Sequence, residues 1–183
     1  FTIAILPSMV GGSVKVFAAE ATGPIKSKLH PRLSTSAKWI WMVYLILTVA
    51  CILSYKLCGM GWFDAFNYSM TSTATGGFST ESGSIMTFHS PAEEYVSALF
   101  CFLSGVNFTL LYASVVGLNI KKLLVNSEFR FYTIMVLLFT AFIAFELVYK
   151  NHYDIEHAFR SSVFQVVSFI TTTGLFSDDA SKW

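Results

Sequence analysis

Thr73-Ala74-Thr75-Gly76-Gly77-Phe78-Ser79-Thr80 is a polar, glycine-bearing run between two stretches long and apolar enough to cross a bilayer. No Lys or Arg occurs anywhere in residues 57–120. A second version follows 98 positions later, as Thr171-Thr172-Thr173-Gly174-Leu175-Phe176-Ser177-Asp178. At that offset Phe66 matches Phe164, Thr73 matches Thr171, and Thr75-Gly76 match Thr173-Gly174. Phe78-Ser79 match Phe176-Ser177, and Asn67 against Gln165 and Glu81 against Asp179 are conservative. Each run is preceded by a helical pattern. Two such runs point to loops that enter a membrane and line a polar path, with the path at the interface between repeats.

The composition agrees. Of 183 residues, 54% are hydrophobic and 13% charged, against about 25% charged in a soluble domain. With a mean hydropathy of +0.59, this is a polytopic membrane protein, not a soluble domain with a large core. A net charge of +1 gives no electrostatic footprint for nucleic acid. Cys51, Cys58 and Cys101 have no metal spacing; they read as unpaired small hydrophobes, with a Cys58–Cys101 disulfide the lesser alternative. His30, His89, His152 and His157 are scattered and form no ligand set. No nucleophile–base pair stands out, so the chain is not read as an enzyme. The phenylalanines read as lipid-facing or packing residues.

Residues 1–10 read as the end of an inner helix of a preceding repeat, stopped by Pro7 and Gly11-Gly12, so the chain reads as a fragment of a longer membrane protein. Residues 11–38 form a basic connector with Lys15, Lys26, Lys28, Arg32 and Lys38 against the single acid Glu20. The complete repeat is residues 39–120. It opens with a span over 39–58, twenty residues and about 30 Å of helix, with Trp39 and Trp41 at an interface and Lys56 snorkelling at the far end. Asp64 is the expected N-cap of a short helix over 64–74, with Phe63, Phe66 and Met70 at helical spacing. Ser90-Pro91-Ala92-Glu93 reads as a capping box that opens a span over 91–119, with a soft patch at Ser104-Gly105-Val106-Asn107 where a tilt or local break is expected. Glu93 and Glu94 are read as helix-start residues. Residues 121–130 are a second basic connector. Residues 131–183 are a truncated repeat, with a span over 131–149 and a helix over 155–172 capped by Asp154. By the positive-inside rule both connectors are cytoplasmic, and both glycine runs are entered from outside.

A dehydrated cation must exchange water oxygens for protein oxygens, and rings of backbone carbonyls supply them. Aiming successive carbonyls at one axis demands backbone angles that favour glycine. Thr75 and Thr173 could add hydroxyl oxygens, and the helix ahead of each run points its partially negative end at the loop. Glu81 and Asp179 could concentrate cations at an outer mouth, though a plain solvated role is simpler. Asn107 could line a cavity below the loops or satisfy a neighbouring helix. Glu146, inside an apolar span, reads as an interfacial pair with Lys150.

These runs resemble the second and third filter loops of the Trk/Ktr/HKT superfamily of potassium-uptake proteins, and most closely the bacterial TrkH-type membrane subunit. Ala19-Glu20-Ala21-Thr22-Gly23-Pro24-Ile25-Lys26, with His30-Pro31-Arg32, is similar to that subunit's connector. The resemblance covers essentially the whole chain. It implies an all-α membrane protein of helix–pore-loop–helix repeats, potassium-channel-like, with one complete repeat and a truncated one here. It implies cation transmembrane transport: potassium ions pass a filter of four pseudo-symmetric walls, two of them in this chain. The key glycines carried over are Gly76 and Gly174, with Ala74, Thr75, Gly77, Thr172, Thr173 and Leu175 supplying further carbonyls to potassium. It also implies a homodimer in the inner (plasma) membrane and a cytosolic nucleotide-binding regulatory subunit. A sodium- or ammonium-conducting relative of the same fold is the alternative.

Overall fold

The computed structural model describes residues 33–116 and 120–178, and regular structure there is helical, with no strand among the described residues. The order is α1 (Leu33–Leu57), α2 (Trp62–Ala74), a 3-10 turn (Ser84–Phe88), α3 (Pro91–Ser104), α4 (Phe108–Val116), α5 (Ile120–Val125), α6 (Ser127–Asn151) and α7 (Ile155–Ile170). The expected inner-helix end over 1–10, the connector as far as residue 32, and Asp179 lie outside the described residues. Lys38–Leu57 and Ser127–Lys150 are each long and apolar enough to cross a membrane, and Pro91–Ser104 with Phe108–Ser114 passes the same test only as a broken pair.

The chain packs as two compact units. Among the described residues, one holds 33–46, 106–116 and 120–125, the other 47–105 and 126–178. In the first, Trp39 on α1 packs against Tyr112 on α4, with ring centroids 5.1 Å apart. Asn107 begins α4: its Oδ1 accepts from the Thr109 N–H at 3.0 Å and its carbonyl from the Leu111 N–H at 3.0 Å. The second connector is not all loop, because Ile120–Val125 is helical.

The second unit carries both glycine runs. Cys51 and Tyr55 of α1, Ala65 and Tyr68 of α2, Ile85, Ala98 and Phe100 of α3, Phe164 of α7 and Leu175 form its core. Cys101, Val136, Val166 and Val167 form a second cluster. Lipid is as apolar as these side chains, so packing and internal hydrogen bonds hold such helices together. The composition of α2 follows from that. Its buried face is Ala65, Tyr68, Ser69, Thr71, Ser72 and Thr73, while Phe63, Phe66 and Met70 face outward. The Tyr55 hydroxyl meets Ser72 Oγ at 3.1 Å. Thr48 Oγ1 meets Thr73 Oγ1 at the same distance.

Several expected caps form differently. Gly61 is the N-cap of α2, and Asp64 sits inside the first turn. Ser90 is the N-cap of α3 with Pro91 at its start, but neither Ser90 nor Asp154 makes a side-chain cap bond. Glu93 is buried, not reaching back to a backbone N–H. The working cap is Asn126, whose Oδ1 accepts from Glu128 and Phe129 N–H at 2.9 and 3.3 Å and starts α6. The break after α3 falls in the expected soft patch. Gly105 has a packing reason to be glycine: a Cβ there would lie 2.6 Å from the Tyr132 hydroxyl and 2.7 Å from Thr171 Cγ2. All three cysteines are free, and Cys51 and Cys101 are buried. Glu146 pairs with Lys150, both partly exposed, as the spacing leads one to expect.

Candidate functional site

The first loop returns along the helix that led into it. α2 ends at Ala74, and Thr75 turns the chain in the left-handed region (φ 51°, ψ 43°). Three side chains on one face of α2, at 64, 68 and 71, then bond the loop in reverse order. Thr71 Oγ1 accepts from Phe78 N–H at 2.7 Å, Tyr68 meets Ser79 Oγ at 2.5 Å, and Thr80 donates to Asp64 Oδ1 at 2.7 Å. Ser79 also donates to the Glu81 carbonyl at 2.6 Å, so Tyr68 is the donor in its bond to Ser79. The loop therefore runs antiparallel to α2 and leaves on the side where α2 began. That is a helix-and-loop hairpin fixed by contacts.

The second loop repeats the geometry with a difference in register. Thr172 (φ 58°) and Gly174 (φ 79°) are left-handed, as Thr75 and Gly77 (φ 72°) are in the first. Gly76 N–H donates to Thr71 O at 2.9 Å, and Thr173 N–H donates to Ser168 O at 2.8 Å. The residue match pairs Gly76 with Gly174, whereas the backbone match pairs Gly77 with Gly174 and Gly76 with Thr173.

These bonds orient the peptide planes. In a trans peptide the carbonyl points opposite to the N–H, and no cis bond occurs among the described residues. The N–H groups of Gly76, Phe78 and Thr173 are turned to the helices, so the carbonyls of Thr75, Gly77 and Thr172 are turned away from them. Leu175 is the exception: it is buried, and its carbonyl accepts from Ser168 Oγ at 2.7 Å. The Thr173 hydroxyl is likewise internal, 2.8 Å from Thr171 Oγ1, and adds no oxygen to an open path. Ala74, Gly76, Thr172 and Gly174 are exposed, and Thr75 and Gly77 are half-buried.

The two loops meet. A Cβ on Gly77 would stand 2.2 Å from the carbonyl oxygen of Thr173. Phe176 N–H donates to Ser84 Oγ at 3.2 Å. Farther out, Arg160 of α7 reaches Glu94 of α3, Nε to Oε2 3.0 Å, and holds both Glu156 oxygens at 2.7 Å. Tyr95 donates to Glu156 at 3.2 Å. Burial works against the Arg160 charge, but Glu94 and Glu156 outweigh it and hold the guanidinium above its ordinary range. Ser84 gives no sequence signal, and for Arg160 the signal is a lone arginine in a serine-bearing helical stretch.

Glu81 is exposed beyond the first loop. Asn107 is buried and serves the start of α4.

Helices of membrane-crossing length, combined with two units of a short helix and a glycine-bearing loop, define an all-α pore-loop membrane protein. The family model for TrkH, cation transport protein, matches residues 1–183, and the chain belongs to that family. The Trk system potassium uptake protein TrkH of Salmonella typhimurium is 36% identical over 183 residues, covering 99% of this chain and 38% of its own length. Its Escherichia coli K12 counterpart is 37% identical over 187 residues with the same coverage. The crystal structure of the potassium transporter TrkH from Vibrio parahaemolyticus matches with a TM-score of 0.82 at 32% identity, covering 93% of this chain and 36% of that one. The chain thus spans under two fifths of the length of these relatives.

Proposed function

We propose that the full-length protein carries potassium across the membrane through a carbonyl-lined filter, with the two loops of this chain forming two of its four walls. What carries the reading is the orientation of the peptide planes. Thr75, Gly77 and Thr172 turn their carbonyls away from the supporting helices, at loops that are otherwise bonded down. Ala74, Gly76, Thr173 and Gly174 complete the proposed ion-binding set, and Leu175 contributes least because its oxygen is already engaged. Transport of this kind needs positioned oxygens and no covalent chemistry. Outer acids at Glu81 and Asp179 belong to the same reading, as attractors of cations, and so does a cavity-lining role for Asn107. So do the inner membrane, a homodimer and a cytosolic nucleotide-binding subunit.

The test is Gly76→Ser and Gly174→Ser in the full-length protein, read as rubidium uptake in competition with sodium. Gly76 suits it, because a Cβ there meets only the Phe78 ring at 3.3 Å and Thr71 Oγ1 at 3.5 Å, and Phe78 is 82% exposed and free to give way. Both variants are expected to lower potassium-type over sodium selectivity. Unchanged selectivity in both would sink the filter assignment.

A further inference from the structure

Ser84 is left-handed (φ 53°) without being glycine, and its side chain is 2% exposed. Backbone strain of this kind persists where the surroundings over-determine it. Here two contacts do so. The Ser84 N–H donates to Glu81 O at 3.1 Å, which closes the turn out of the first loop. Its hydroxyl accepts the Phe176 N–H of the second loop, 92 residues on. The next residue, Ile85, lies in the same core as Leu175 and Tyr68.

The peptide joining Leu175 to Phe176 is therefore gripped on both edges. Its carbonyl is held by Ser168, on the helix of its own loop. Its N–H is held by Ser84, from the other repeat. A peptide bonded at both edges cannot rotate without losing one of them. The carbonyls of Thr172, Thr173 and Gly174 lie directly upstream in the chain, and that of Thr173 stands against Gly77.

We propose that Ser84 is a positioning residue for selectivity: a strained serine in the first repeat sets the height and rotation of the second loop's carbonyls. The inference rests on the transport reading above. It requires no contact between Ser84 and the ion.

The test uses the full-length protein in proteoliposomes, reading rubidium influx against sodium competition, alongside thermal unfolding in detergent. Ser84→Ala removes the acceptor and keeps the strained backbone. Ser84→Gly removes the acceptor and relieves the strain. Gly174→Ser is the benchmark for the filter itself. Both Ser84 variants are expected to lower the preference for rubidium over sodium by about five-fold, the equivalent of one ordinary hydrogen bond of about 1 kcal/mol. Ser84→Gly should do so while unfolding at a higher temperature than Ser84→Ala. A purely structural serine predicts the opposite, with selectivity following stability and the glycine variant close to wild type; that result overturns the proposal. Wild-type selectivity in the Ser84 variants beside a defective Gly174→Ser also overturns it, and leaves the filter standing. An unaffected Gly174→Ser overturns this proposal, because the second loop would then not set selectivity; an unaffected Gly76→Ser beside it removes the filter reading as well. Should Ser84→Ala fail to assemble, Ser84→Gly carries the comparison alone.

Discussion

Gly77 and Gly174 share a left-handed backbone but not a neighbourhood. A Cβ on Gly174 meets nothing within 4 Å, whereas one on Gly77 drives into the Thr173 carbonyl. Gly174→Ala should therefore cost only the left-handed penalty, about 1–2 kcal/mol. Gly77→Ala adds a backbone collision that no rotamer can relieve. The expected result is a clearly larger drop in thermal midpoint and a larger loss of rubidium-over-sodium preference for Gly77→Ala. The reverse order would refute the close approach of the loops. The glycines themselves are legible in the sequence, because each run places glycine directly after a threonine at the end of a helical pattern. Their pairing is less so. Residue identity aligns Gly76 with Gly174, while the turn geometry aligns Gly77 with it, since α2 carries helix through Ala74 and α7 stops at Ile170. A one-residue shift in where the turn falls leaves no mark on composition.

At the scale of elements, α1 and α6 are readable because length and apolarity suffice to define a span. Which face of α2 is inside is not. Phe63, Phe66 and Met70 have the spacing of a core stripe, yet they are 73%, 48% and 53% exposed, and the serines and threonines are buried. In a bilayer the apolar stripe has no preference for the interior, and small residues that approach closely and hydrogen-bond do. The soft patch was readable from Gly105 and Asn107, and α4 starts just after it. The Arg160–Glu94 pair is hidden for a different reason: 66 residues separate the two, and only the fold shows that a charge on α7 meets one on α3. Both side chains are nearly sealed, 10% and 9% exposed. Arg160→Leu leaves Glu94 buried without a partner and should cost about 3–5 kcal/mol. Adding Glu94→Leu should recover a good part of that, measured as the midpoint of thermal unfolding in detergent. A double variant no better than the single would show that the pair is not the element holding α7 to α3.

For the molecule as a whole, charge gives the sidedness. The bonds from Asp64, Tyr68 and Thr71 bring the first loop back along α2, and with the positive-inside rule we propose that Glu81 lies outside and Glu128, at the start of α6, inside. In a full-length background free of other cysteines, Glu81→Cys should react with a membrane-impermeant maleimide on intact cells. Glu128→Cys should react only after permeabilisation. Labelling of Glu128→Cys on intact cells would invert the topology.

On the transport reading proposed above, the grip of Ser168 on the Leu175 oxygen has a consequence for how such a conduit can evolve. Four identical subunits must present four identical walls, and any change is copied around the ring. Repeats strung along one polypeptide escape that constraint, so one wall can withdraw a ligand while its neighbours keep theirs. An ion passing that level would be held from fewer directions, rest off the axis, and dwell there more briefly. Uneven walls of this sort trade tightness of binding for speed of passage, and they can do so one residue at a time.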